Sequence, residues 1–215
     1  HVLFRRQRQM CIRDSSGSMG DSRADKLQEG VYNAISYYNE IDQNNNSIYT
    51  IHKFDGEGNI KHLLTSKNLD KLYNSLVPPN GLAGYGRSTA IKDALYQAIN
   101  VISQDKDSEM KMIVLFTDGY SNTDLVKYPL SDVIRNAISN NINIVVVGFG
   151  EYYDENYLDA IAYYAGGNKY KVWHENEFSQ LFENILSDVN LSYEIQFSPC
   201  MFGDCLLYTS PSPRD

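Results

Sequence analysis

Apolar residues along this chain recur in two alternating rhythms. Met110–Phe116 and Ile142–Phe149 are near-continuous apolar runs of strand length, the pattern of strands covered on both faces. Between them and around them the spacing changes to three and four residues, which is helical. Leu27, Val31, Ala34, Ile35 and Tyr38 predict a helix from roughly Ser22 to Glu40, with Asp21 or Ser22 as its cap. Ile48–Phe54 and Ile60–Leu64 read as two strands joined by the tight turn Asp55-Gly56-Glu57-Gly58. Leu69–Leu76 reads as a short helix. Ile91, Leu95, Ala98, Ile99 and Ile102 mark the next helix, and Val133, Ile134, Ala137 and Ile138 another. Leu158, Ile161, Ala162 and Ala165 form a helix stopped by Gly166-Gly167. Tyr170–Trp173 is a last short strand, followed by a helix carrying Phe178, Leu181, Phe182, Ile185 and Val189. Strands alternating with helices predict a doubly wound α/β fold: a mostly parallel sheet with one antiparallel edge strand and helices on both faces. Residues 7–13 are expected to occupy the first strand, although Gln7, Arg8, Gln9 and Arg13 leave no continuous apolar run there.

The chemistry concentrates in Asp14-Ser15-Ser16-Gly17-Ser18-Met19-Gly20. Asp14, Ser16 and Ser18 follow one another at two-residue steps, and Gly17 and Gly20 permit a turn that points the hydroxyls back toward the carboxylate. Such a loop presents hard oxygen donors to one point and suits a hard cation. Mg²⁺ requires about six oxygens, so further ligands must come from elsewhere. Thr89 begins an apolar-periodic helix and Asp118 lies just past a buried strand. Ligands of such sheets bind at the carboxyl ends of the strands, and both Asp14 and Asp118 are placed there. The glycine-rich stretch Pro78–Gly86 leads into Thr89 and is of the kind that carries binding surfaces.

Asp14-x-Ser16-x-Ser18, then Ser88-Thr89-Ala90-Ile91, then Thr117-Asp118-Gly119 after an apolar strand resembles a von Willebrand factor type A domain of bacterial type, with an intact metal-ion-dependent adhesion site. The resemblance runs from Asp14 to about Ser187. It implies a Rossmann-like fold and metal-mediated protein binding without catalysis. On this resemblance Ser16 and Ser18 coordinate the cation directly, while Asp14, Thr89 and Asp118 coordinate it or act through bound waters. The cation is expected to be Mg²⁺, with Mn²⁺ or Ca²⁺ as alternatives. An acidic side chain of a protein partner completes the coordination, and Gly17, Tyr85, Gly86 and Gly119 form the partner-binding rim.

Composition narrows this further. A chain of 215 residues with 42% apolar content supports one core. No apolar run approaches the roughly 18 to 20 residues needed to span a bilayer. Codons for Met10–Ser15 can be chosen whose reverse complement encodes Cys205–Thr209, so the two ends resemble one translated sequencing adapter read from opposite strands. Residues 1–14 and 205–215 are therefore expected to be adapter-derived, residues 15–190 to form the domain, and 191–204 to begin a following β-segment at Tyr193–Phe197. Setting aside Arg5, Arg6, Arg8, Arg13 and Arg214 with Asp14 and Asp215 turns the net charge from −8 to −11, with 14 basic against 25 acidic residues. Such a balance argues against nucleic-acid binding. Cys200 is then the one remaining cysteine, and no disulfide is expected.

Competing readings are weaker. Asp21 is a solvated helix-start acid before it is a second cation ligand. Asp55-Gly56-Glu57-Gly58-Asn59 fails as a calcium loop, since Ile60 and Ser66 stand where Gly and Glu are needed. Ser16 occupies the first glycine position of a nucleophile elbow, which removes that motif. His52, His62 and His174 are scattered and serve structure or surface, and Tyr152-Tyr153 and Tyr163-Tyr164 are expected to be half-buried packing. A metal-dependent hydrolase lacks a base or nucleophile beside the metal. The favoured reading is a binding module of an exported surface or periplasmic protein. The alternative is a regulatory subunit of an intracellular ATPase or chelatase-type complex, which gene neighbourhood would distinguish.

Overall fold

The computed structural model describes the backbone of residues 7–14 and residues 25, 27–33, 35–36, 47–54, 61–76, 89–108, 110–118, 121, 129–150, 153–174, 177, 180–181 and 183–185. In chain order the elements are β1 (Gln7–Asp14), helical residues between 25 and 36 (α1), β2 (Ile48–Phe54), β3 (Lys61–Ser66) and α2 (Leu69–Leu76). There follow α3 (Ile91–Ser103), β4 (Met110–Thr117), α4 (Leu130–Ser139), β5 (Ile142–Phe149), α5 (Glu155–Tyr164), β6 (Lys169–Val172) and helical residues between 180 and 185 (α6).

The six strands form one sheet in the order β3-β2-β1-β4-β5-β6. All neighbours are parallel except β2 and β3, which make the antiparallel edge. β1 is central: Arg8 pairs with Ile48 on one side and Lys111 on the other, and the register holds to Arg13 opposite Lys53 and Phe116. Its polar residues enter the middle of the sheet because the ladder is made by backbone groups, which every non-proline residue carries.

Strand alternation divides the interior into two cores. Tyr49, Ile51, Met112, Val114, Phe116, Val145, Val147, Phe149 and Val172 face one side, where they meet Leu27, Val31 and Ile35 of α1, Leu72 of α2 and Leu181 and Ile185 of α6. Phe54, Ile113, Leu115, Ile142, Ile144 and Val146 face the other, under α3, α4 and α5. Fully burying each such side chain stabilises by about 1.5–3 kcal/mol, which is why the two-residue period of the strands and the longer period of the helices are both legible in the sequence.

Helix ends follow local chemistry. Asn68 caps α2, its Oδ1 accepting from the Lys71 N–H at 2.9 Å, and Asp154 caps α5 through the Tyr157 N–H at 3.0 Å. α5 ends in a Schellman turn: the Gly167 N–H donates to the Ala162 carbonyl at 3.0 Å while Gly166 takes φ +71°. The pair Gly166-Gly167 thus stops the helix as expected.

Several boundaries and burials differ from expectation, and β4 runs one residue beyond Phe116, to Thr117. β3 is Lys61–Ser66, because pairing with β2 continues to Tyr49 opposite Ser66 beyond an irregularity at Ile51/His52. β6 is Lys169–Val172 and excludes Trp173, since its partner β5 ends at Phe149 opposite Val172. Tyr153 is buried at 5%, but Tyr163 and Tyr164 are 72% and 63% exposed, stacked edge-to-face on the solvent side of α5 with centroids 5.2 Å apart. His52 and His62 are not scattered: the β2–β3 pairing brings their rings to 5.1 Å. The expectations for Asp21 and Ser22, the turn at 55–58, the stretch 78–86, Tyr152 and residues 1–6 and 186–215 fall outside the described residues. No helix among the described residues is long and apolar enough to cross a membrane.

Candidate metal centre

Asp14 is the last residue of β1 and pairs with Phe54, the last of β2. Asp118 follows Thr117, the last residue of β4. Since β1 and β4 are parallel neighbours with Arg13 opposite Phe116, both aspartates leave the sheet at the same edge from adjacent strands, which lie about 4.8 Å apart. β1 and β4 also flank the point where the strand order reverses: the chain proceeds from β1 outward to β2 and β3, then returns past β1 to β4. Crevices at such switch points are where open α/β sheets hold ligands.

Thr89 approaches this edge from the second layer. α3 packs on the sheet through Ile91, Ala94, Leu95 and Ala98, in the core that holds Phe54 and Leu115. The helix then runs down to the loop preceding β4, so its start lies at the carboxyl edge. Thr89 and Asp118 are each only 4% exposed, and Thr117 is 1% exposed. All three are engaged in polar interactions, as buried polar groups must be.

The structure therefore places three of the expected ligand positions, Asp14, Thr89 and Asp118, at one edge of the fold. Ser16 and Ser18, and the rim residues Gly17, Tyr85, Gly86 and Gly119, lie outside the described residues. Among the described residues no group of three or more His, Cys, Asp or Glu side chains is arranged to hold a metal. The expected donor set contains only two carboxylates, the others being hydroxyls. Its chemistry, hard neutral and anionic oxygens at a strand edge, fits a hard divalent cation.

One buried carboxylate at this end went unremarked in the sequence. Asp93 is 4% exposed and belongs to the first turn of α3, four residues after Thr89. The i, i+4 spacing from Thr89 was the available signal.

Comparison with known families and structures identifies the fold. A family model described as the von Willebrand factor type A domain matches residues 10–184. Similar solved structures include a von Willebrand factor type A protein from Catenulispora acidiphila, 19% identical with a TM-score of 0.66, covering 84% of this chain and 42% of that one. Proximal thread matrix protein 1 from the mussel byssus, solved with a zinc-occupied MIDAS motif, is 19% identical with a TM-score of 0.63 over 83% of this chain and 46% of that one. The pilus adhesin SpaC from Lactobacillus rhamnosus GG is 14% identical with a TM-score of 0.67 over 88% of this chain and 31% of that one. At these identities the likeness is one of fold, and this chain spans less than half the length of each of the three. Comparison with curated proteins gives no match.

Proposed function

The chain belongs to the von Willebrand factor type A domain family, and from that premise we propose that it is a metal-dependent protein-binding module. The observation that carries the reading is the convergence of Asp14 and Asp118 on adjacent strand ends at the switch point, with buried Thr89 leading into α3 beside them. Asp14, Ser16, Ser18, Thr89 and Asp118 would hold Mg²⁺, Mn²⁺ or Ca²⁺, and the bound cation would supply a positively charged point that accepts an acidic side chain of the partner. The chain's own share is to hold oxygen donors at fixed places and to offer Gly17, Tyr85, Gly86 and Gly119 as the surrounding rim. Serine and threonine hydroxyls among the ligands leave more of the cation's charge uncompensated than carboxylates would, which favours an anionic partner group. The reading assigns binding and no catalysis, and places the module in an exported protein of the cell surface or periplasm. The pilus adhesin and the byssus matrix protein among its structural neighbours support it.

The test is thermal unfolding in EDTA, Mg²⁺ and Mn²⁺, with Asp118→Ala beside the wild-type chain. A ligand that binds only the native state stabilises it, so the wild type should melt higher with metal and the variant should not. A cooperative melt indifferent to metal would overturn the reading. Partner capture on the metal-loaded chain, reversed by EDTA, is the second stage.

A further inference from the structure

Acidic residues occupy the first turn of α2, α3, α4 and α5: Asp70, Asp93, Asp132 and Glu155. An acid there complements the helix dipole and needs no burial to do so. Asp70 and Glu155 are indeed exposed and Asp132 is half-exposed. Asp93 is 4% exposed.

The core does not explain that burial. The face of α3 that meets the sheet is centred on Ile91, Ala94, Leu95, Ala98 and Ile102. Asp93 lies on a different side, whose continuation along the helix is Tyr96, Gln97 and Asn100 at the next three-, four- and seven-residue steps. Gln97 is exposed and Tyr96 and Asn100 are half-exposed. This side of α3 is thus covered only at its first turn, on the flank that leads back to Thr89. Asp93 also has an interaction partner within the fold.

We infer that Asp93 is a positioning residue of the metal centre, holding the ligand-bearing segments around Thr89 in place from behind through hydrogen bonds to its carboxylate. The inference rests on the metal-binding reading above. A carboxylate kept from water is costly unless charge or hydrogen bonds compensate it, and it adds to the negative potential already made by Asp14 and Asp118. Residues that support metal ligands in this way typically alter affinity ten- to a hundredfold when changed.

The experiment is calorimetric titration of MgCl₂ and MnCl₂ into the wild-type chain, Asp93→Asn and Asp118→Ala, with melting temperatures in EDTA and in saturating metal. Asp93→Asn keeps the shape and removes the charge. Its Mg²⁺ Kd should rise roughly ten- to a hundredfold, while its melting temperature in EDTA stays at or above that of the wild type. Asp93→Ser serves as a second variant if the amide is not accommodated, with the same loss of affinity expected. Wild-type affinity in a folded Asp93 variant, or an equal drop in melting temperature with and without metal, would make Asp93 a helix-start acid only and overturn the inference. A wild-type chain that binds no metal would sink both this inference and the proposed function, whereas a metal-binding wild type with an indifferent Asp93 variant sinks this one alone.

Discussion

Gly167 lies so close to Ile144 that a Cβ on it would overlap the Ile144 carbonyl oxygen and stand 3.1 Å from the Val145 nitrogen. The Schellman turn that ends α5 is therefore pressed directly against the backbone of β5, and the next residue, Asn168, accepts the Val146 N–H at 2.9 Å as the chain enters β6. Gly167→Ala should destabilise by more than about 3 kcal/mol, beyond the usual 1–3 kcal/mol of overpacking, because the neighbour is strand backbone that cannot yield. Gly150 provides the control, having φ +80° and open space around it; its alanine variant carries only the left-handed backbone cost of about 1–2 kcal/mol. Urea unfolding of both variants decides the point, and a Gly167→Ala no worse than Gly150→Ala would contradict the close approach.

Thr89 is buried at the strand edge where Asp14 and Asp118 leave the sheet, and Thr89→Val keeps its volume while removing the hydroxyl. The metal-free melting temperature should fall by only a few degrees, since one lost hydrogen bond is worth about 1 kcal/mol and that corresponds to roughly 2–4 °C in a chain of this size. The rise on adding Mg²⁺ should shrink by more than that. Melting curves with and without metal separate the two effects; an undiminished rise would remove Thr89 from the site.

Stability should decline above pH 10. Burial raises the Tyr153 hydroxyl above its ordinary value, with Glu155 adding to it. Burial lowers the Lys169 ammonium, but its hydrogen bonds to Asp159 and Glu155 outweigh this and raise it overall. In both cases the folded state holds its proton to higher pH than the unfolded state. Their contributions are complete below the unfolded values, near 10 to 10.4, and are lost as pH rises through the folded ones. Melting temperatures between pH 9 and 11.5 should fall, less steeply in Tyr153→Phe and in Lys169→Met. Identical slopes in all three chains would refute the assignment.

Tyr163 and Tyr164 project from α5 beside the exposed Ile138 of α4. Replacing either tyrosine by Ser should change unfolding free energy by no more than about 0.5 kcal/mol, as for surface positions generally. A loss of several kcal/mol in urea titration would show that the pair is packed after all.

Much of this fold was legible from spacing alone. Leu69–Leu76 and Ile142–Phe149 fall at the residues expected, because burial on one helical stripe or on both strand faces writes itself into the apolar pattern. The ends of β3 and β6 were misplaced by one or two residues because a strand ends where its partner's backbone ends, and the partner of β6 is Ile142–Phe149, a strand that the apolar pattern of residues 170–173 does not describe. The exposure of Tyr163 and Tyr164 was likewise hidden, since an aromatic pair has the same composition whether its helix face meets β5 or solvent.

The sequence by itself determined the alternation of strands and helices and the presence of Asp14, Thr89 and Asp118 at element boundaries, since both follow from local patterning and from residue chemistry. Only the tertiary structure decided that β1 pairs with β4 rather than ending at an edge, that Asp14 and Asp118 therefore leave adjacent strands at the reversal of strand order, and that Asp93 is buried beyond Thr89 while the other first-turn acids are not. The physical reason is that pairing order and burial depend on backbone hydrogen bonds and layer packing between residues about a hundred positions apart, which no local spacing encodes.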